Sequence, residues 1–145
     1  MAKNTTHVFR ASLKAKLYRE IEIDGQRSLR DLAEATIAAF DFDFDHAFGF
    51  YSNLTGPYHH SPERYEQFAD IEDIESDAES VEHTKVAQAF ATVGKKMLFL
   101  FDYGDEWRFQ IELIRLGEKT PKTRYPRLLS TMGKAPSQYP DDDDE

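Results

Sequence analysis

Apolar and polar positions alternate at the start of the chain. From His7 to Lys14, residues His7, Phe9, Ala11 and Leu13 fall on one side and Val8, Arg10, Ser12 and Lys14 on the other, the period of a strand. Leu17 to Ile23 repeats the pattern, with Leu17, Ile21 and Ile23 set against Tyr18, Glu20 and Glu22, and it closes on the turn pair Asp24-Gly25. The period then lengthens. Leu29, Leu32, Ala33, Thr36, Ile37 and Phe40 recur at helical spacing behind Ser28 and Asp31, which have the spacing of a capping box. A helix from Ser28 to Phe40 is expected, with its apolar stripe laid on the sheet.

Acids and aromatics alternate from Asp41 to Phe48 and lead into a strand-like His46 to Ser52. Gly56-Pro57 punctuates the next stretch, and Ser61 before Pro62 reads as the start of a short helix to Phe68. Residues 70–82 are acidic and poor in large apolar side chains, so a mobile loop is expected there. Thr84 to Val93 suggests one or two helical turns ended by Gly94.

The strongest strand signal is Lys96 to Asp102, apolar from Met97 to Phe101 and followed across Tyr103-Gly104-Asp105 by a second arm, Trp107 to Leu116. Beyond Gly117, Pro121, Pro126, Pro136 and Pro140 argue against long regular elements. The whole reads as an α+β domain over residues 1–134. An antiparallel sheet is packed on one face by the Ser28 helix and smaller helices, and residues 135–145 form an acidic, disordered tail.

Composition narrows the function. With 145 residues, 40% hydrophobic and 13% aromatic, the chain supports one ordinary core and is not disordered as a whole. It has no cysteine, which excludes disulfides, thiol catalysis, thiolate zinc sites and iron–sulfur clusters, and a reducing cytoplasm is the expected location. Neither a membrane span nor a secretory leader is read in the sequence, so no membrane partner is expected.

The formal charge is −9, but it is unevenly placed. Nine acids face only Arg64 between Glu63 and Glu82, and five more run from Asp141 to Glu145, which leaves the rest of the chain net positive. Six bases, Arg115, Lys119, Lys122, Arg124, Arg127 and Lys134, stand against Glu118 between Arg115 and Lys134. Such a segment is most simply a solvated surface, and it can also meet phosphates.

Asp102, Asp105 and Glu106 set three carboxyls around Gly104, a density of oxygen ligands that suits a hard cation, although the spacing of a calcium loop is absent. The same residues serve as turn formers, with Asp102 or Asp105 accepting from turn amides and Gly104 supplying a positive φ. Arg108 is expected to pair with a nearby acid, and Trp107 to anchor the core with an acceptor for its indole N–H. His46 would complete a histidine–carboxylate site if the Asp102 turn folds beside it, and is otherwise a hydrogen-bonded structural histidine. Asp41, Asp43 and Asp45 would crowd on one side of an extended run unless a cation or an arginine intervened. The five histidines show no zinc spacing, and nucleophile-elbow, phosphate-loop and dinucleotide fingerprints are absent, so no metal or cofactor is assigned.

Three segments occurring in order carry a resemblance: Tyr18-Arg19-Glu20-Ile21, His46-Ala47-Phe48-Gly49-Phe50, and Phe101-Asp102-Tyr103-Gly104-Asp105-Glu106-Trp107-Arg108. Together they resemble the plasmid pRiA4b ORF-3-like family over roughly residues 7–127, the last segment being the most specific. The resemblance implies a compact α+β fold found in plasmid- and mobile-element-related or chromosomal proteins, without an agreed activity, cofactor or mechanism. The sequence departs from that family's pattern at Phe109 and at Ala47-Phe48, where the family often has histidines. Residues 128–139 stand where the family's usual C-terminal segment is expected, so an activity that relies on that segment's groups is not expected.

No complete catalytic constellation is present, and the leading expectation is a non-catalytic cytosolic module that binds a protein or peptide. His46, Asp102, Asp105, Glu106, Trp107 and Arg108 form its candidate functional surface. One alternative is a metal-dependent hydrolase or phosphoester-processing enzyme built on those carboxylates. Another is a nucleic-acid accessory protein using Arg115, Lys122, Arg124 and Arg127, with Phe48, Phe50, Tyr51 and Tyr58 for stacking. The net negative charge disfavours it.

Overall fold

A computed structural model describes residues 4–67 and 78–138. The opening hairpin forms as its alternation predicts, β1 (Thr5–Lys14) against β2 (Leu17–Asp24), with Phe9 opposite Ile21. Helix α1 (Leu29–Ala39) follows, and its capping box is in place: the Ser28 hydroxyl accepts from the Asp31 amide at 3.1 Å, and the Asp31 carboxylate accepts from the Ser28 amide. Then come β3 (Phe48–Tyr51), β4 (Arg64–Glu66), β5 (Glu79–Ser80), the single-turn α2 (Val86–Ala89), β6 (Lys96–Phe101), β7 (Trp107–Glu118) and β8 (Arg127–Met132).

All eight strands join one sheet in the order β5-β4-β3-β6-β7-β1-β2-β8. The sheet is mixed, which corrects the antiparallel expectation: β4 and β5 run parallel, and the connection between them is long enough for the crossover that such a pair requires. The protein is mostly β, with few helices.

The main core is aromatic and lies between the sheet and α1. Leu29, Leu32, Ala33 and Ile37 of α1 are buried with Phe9, Phe48, Phe50, Phe99, Phe109 and Ile111 of the strands. On β7, Phe109, Ile111 and Leu113 are fully buried while Gln110 is exposed, so the alternation sorts the two faces of the strand. Strand β6 is apolar from Met97 to Phe101 because both faces of that stretch are covered. Met97, Phe99 and Phe101 enter the main core, and Leu98 and Leu100 form a second cluster with Tyr51, flanked by Tyr58 and Tyr103.

The short helix expected from Ser61 is corrected, and three further segments carry structure that the sequence did not indicate. Ser61-Pro62 starts no helix. A 3-10 turn at Tyr58–His60 precedes it and β4 follows, while the Ser61 hydroxyl accepts from the Asn53 amide at 2.9 Å instead of capping a helix. In the acidic stretch, residues 70–77 lie outside the described residues, but Val81 is buried in the core and β5 occupies Glu79–Ser80. The proline-rich C-terminal region holds a six-residue strand, β8, because its prolines flank the strand rather than interrupt it. Finally, Ala135 packs on the core and Gln138 is buried, with its amide clamped to the backbone N–H and C=O of Asp43. Residues 139–145 of the expected tail lie outside the described residues.

Among the described residues, no helix is long and apolar enough to cross a membrane.

Candidate functional site

The β6–β7 turn is built by Asp102. Its backbone adopts φ 66°, and its Oδ1 accepts from the amides of Gly104 at 3.1 Å and Asp105 at 3.2 Å. Its amide donates to Ala47 at 2.9 Å, and its carbonyl accepts from the Glu106 amide at 2.6 Å. Positive φ therefore falls on Asp102 and on Glu106, at 53°, rather than on Gly104. The carboxyl of Asp102 is committed to the turn on one oxygen. Its other oxygen stands 3.4 Å from His46 Nε2, which is also 3.4 Å from Asp45 Oδ1.

The structure thus brings His46 to Asp102 and leaves Asp105 and Glu106 exposed on the turn. Glu106 instead takes the Arg108 guanidinium at 3.0 Å, and Arg108 leans over the Tyr58 ring at 5.8 Å. Trp107 packs edge-on against Phe42, with ring centroids 4.8 Å apart, but its buried indole N–H meets no acceptor among the described residues. Nor is any group of three or more His, Asp or Glu among the described residues arranged to hold a metal.

The crowding of Asp41, Asp43 and Asp45 does not arise, because the run is not extended. Asp41 closes α1 at φ 59°, and Asp45 shares its carboxylate between His46 and the Gln138 amide.

Beside the turn lies a cluster that sequence reasoning missed. The Tyr51 hydroxyl donates to Glu66 at 2.6 Å and lies 2.7 Å from the Tyr103 hydroxyl, so with Tyr51's one proton spent on Glu66, Tyr103 donates to Tyr51. Burial pushes the Tyr103 hydroxyl up to about 12, and burial together with the bond to Glu66 pushes Tyr51 up as well. Both remain protonated at any physiological pH. These residues are far apart in sequence, and only the β4-β3-β6 order brings them together.

The expected nucleic-acid surface separates into parts. Phe48, Phe50 and Tyr51 are fully buried and offer no face for stacking. Arg115, Lys122, Arg124 and Arg127 are all exposed, yet Arg127 is already paired with Glu22 at 2.8 Å.

Strand β8, unassigned from sequence, ends the sheet. Its Leu128 and Met132 are 49% and 45% exposed, and Leu128 borders a groove of about 260 Å3 with Ile21, Pro126 and the α1 residues Ala35, Ala38 and Ala39. The only sequence signal was the apolar pair Leu128-Leu129 between Pro126 and Gly133.

A mostly-β domain of this kind, one mixed sheet carrying one principal helix, has solved counterparts. A protein of unknown function from Methanosarcina mazei Go1 superposes with a TM-score of 0.72 at 18% identity, covering 93% of this chain and 73% of that one. It shares the fold. The profile of the plasmid pRiA4b ORF-3-like proteins matches residues 6–142, and the chain belongs to that family. No curated protein matches the sequence.

Proposed function

We propose that the protein is a non-catalytic module that binds a protein or peptide. The observation that carries this reading is the unpaired end of the sheet at β8, where exposed apolar side chains and a groove adjoin a strand with no outer neighbour among the described residues. Sheet edges recruit extended chains because their outward N–H and C=O groups lack partners. The groove is smaller than the roughly 300–1,000 Å3 of sites that enclose a small-molecule ligand, and it has room for single side chains. The candidate carboxylates support the same reading. Asp102 spends one oxygen on its turn, and Glu106 is engaged by Arg108.

Selection of a random-peptide display library on the immobilised full-length chain tests the proposal. Amide hydrogen exchange then maps where the enriched peptides protect the protein. Saturable peptides that protect a defined surface are expected. Failure to enrich any peptide, together with metal-dependent hydrolysis of a generic phosphodiester that Asp102→Asn abolishes, would replace the proposal with the enzymatic one.

A further inference from the structure

We infer that the occupant of the β8 edge is an extended, acidic segment of another protein. It would add a ninth strand and place an apolar side chain in the Leu128 groove. This inference rests on the binding-module reading and specifies the partner of that site.

In an antiparallel ladder alternate residues turn their N–H and C=O groups away from the neighbouring strand. Strand β8 pairs with β2 on one side, Ile21 opposite Leu128 and Tyr18 opposite Met132, and has no strand on the other among the described residues. Leu128 lies on the α1 side of the sheet with Ile21, where Ala35, Ala38 and Ala39 leave the helix surface low. A guest strand would therefore find backbone partners along the edge and an apolar recess on one face, the two elements of strand-addition recognition.

Lys122 and Arg124 precede the strand and Lys134 follows it; all three are exposed, and none forms an ion pair among the described residues. Arg127, at the start of the strand, is held by Glu22. Glu34 is the acid one helical turn before Ala38 on α1, so guest carboxylates are expected at the two ends of β8 rather than over the helix. A second copy of this chain is the poorer occupant. Pairing β8 with itself about a two-fold axis would set the same cations against each other, whereas an acidic guest is matched to them.

Two probes test this: extended peptides alternating Val with Glu or Val with Lys. Binding to the full-length chain is read by hydrogen exchange at residues 127–132, and the oligomeric state by sedimentation. The acidic peptide is expected to protect β8 and to bind roughly tenfold more tightly than the basic one. Leu128→Asp or the double variant Lys122→Glu/Arg124→Glu should weaken it by about tenfold or more, with the unfolding midpoint unchanged.

Equal affinity for both peptides, or acidic peptides bound away from β8, would overturn the inference while leaving a peptide-binding module. Concentration-dependent self-association that protects β8 would assign the edge to a second copy and overturn it too. If neither probe protects β8 but library selection enriches peptides that protect another surface, only this inference falls. If selection enriches none, the binding-module reading falls with it.

Discussion

Arg127 on the exposed edge strand closes over the Glu22 carboxylate of β2, Nη2 to Oε1 at 2.8 Å, and the Glu22 side chain is only 8% exposed. Thr6 donates to the other carboxylate oxygen at 2.6 Å. A carboxylate this sheltered needs both partners, so the Arg127 guanidinium is a fastener between β8 and β2 rather than a free phosphate contact.

Arg127→Ala is therefore expected to lower stability by about 1–3 kcal/mol by leaving Glu22 under-partnered, whereas Arg124→Ala should change it by no more than about 0.5 kcal/mol. Urea denaturation measures both. In the double variant Arg127→Met/Glu22→Gln, part of the loss should return, because the stranded charge is gone. Equal, small effects at both arginines would mean that Glu22 is hydrated in solution.

Helix α1 ends in a Schellman motif whose left-handed position is occupied by Asp41 at φ 59°. The Phe42 amide donates to the Ile37 carbonyl and the Asp41 amide to that of Ala38, both at 3.0 Å. A β-carbon is strained there, and an acid at a helix C-terminus also opposes the macrodipole. Asp41→Gly should raise stability by about 1 kcal/mol, and Asp41→Ala, which keeps the strain, should not. A glycine variant no more stable than the alanine one would show that the motif frays in solution.

The same helix shows what a sequence discloses. Its start was legible because Ser28 and Asp31 act over one turn, and its buried stripe because Leu29 to Phe40 recur with the helix period. Its end was not. The acid–aromatic alternation after Phe40 imitates a strand, and the chain turns at Asp41 because the Schellman bonds win over that local pattern. Strand β8 was hidden for a related reason: its partners are distant, with Glu22 opposite Arg127 and the Arg19 guanidinium donating to the carbonyls of Met132 and Gly133 at 3.1 Å. In the candidate site, the Asp102 turn was readable as Asp plus Gly within a hairpin. The approach of His46 and the Tyr51–Glu66–Tyr103 cluster depend on strand order, which no local spacing encodes.

Gly49 on β3 makes that tyrosine cluster possible. A β-carbon at this position would lie 2.7 Å from both the Tyr51 and the Tyr103 hydroxyls. Gly49→Ala should cost about 1–3 kcal/mol, because Tyr51 is fully buried and the hydroxyls can retreat only by breaking their short bonds. Adding Tyr103→Phe should relieve part of that cost by removing one of the two clashing oxygens. Additive losses in this double variant would mean that the strain lies in the backbone of β3 and not against the hydroxyls.

His7 supplies a pH dependence with a definite sign. Its ring is buried, stacked on Phe9 at 6.2 Å, and its Nδ1 has no hydrogen-bond partner among the described residues. Burial lowers its pKa from the ordinary 6.5, against the smaller opposing pull of Asp24. Between that value and the lower folded one, the unfolded chain binds the proton and the folded chain does not, so stability rises with pH across the window. The contribution is complete above 6.5 and is lost as pH falls through the folded value. Carboxylates act further into acid. Burial raises Glu20, Asp24 and Asp31, yet hydrogen bonds and ion pairs, including those from Arg10, Lys119 and Arg27, hold all three below ordinary carboxylate values, so their stabilisation fails only at lower pH. Urea midpoints taken between about pH 7.5 and about pH 5 should therefore fall for the native sequence and stay nearly level for His7→Leu, with both falling together only in stronger acid. Parallel loss in the two proteins over the upper window would place the proton uptake elsewhere and show that His7 is hydrated in the folded state.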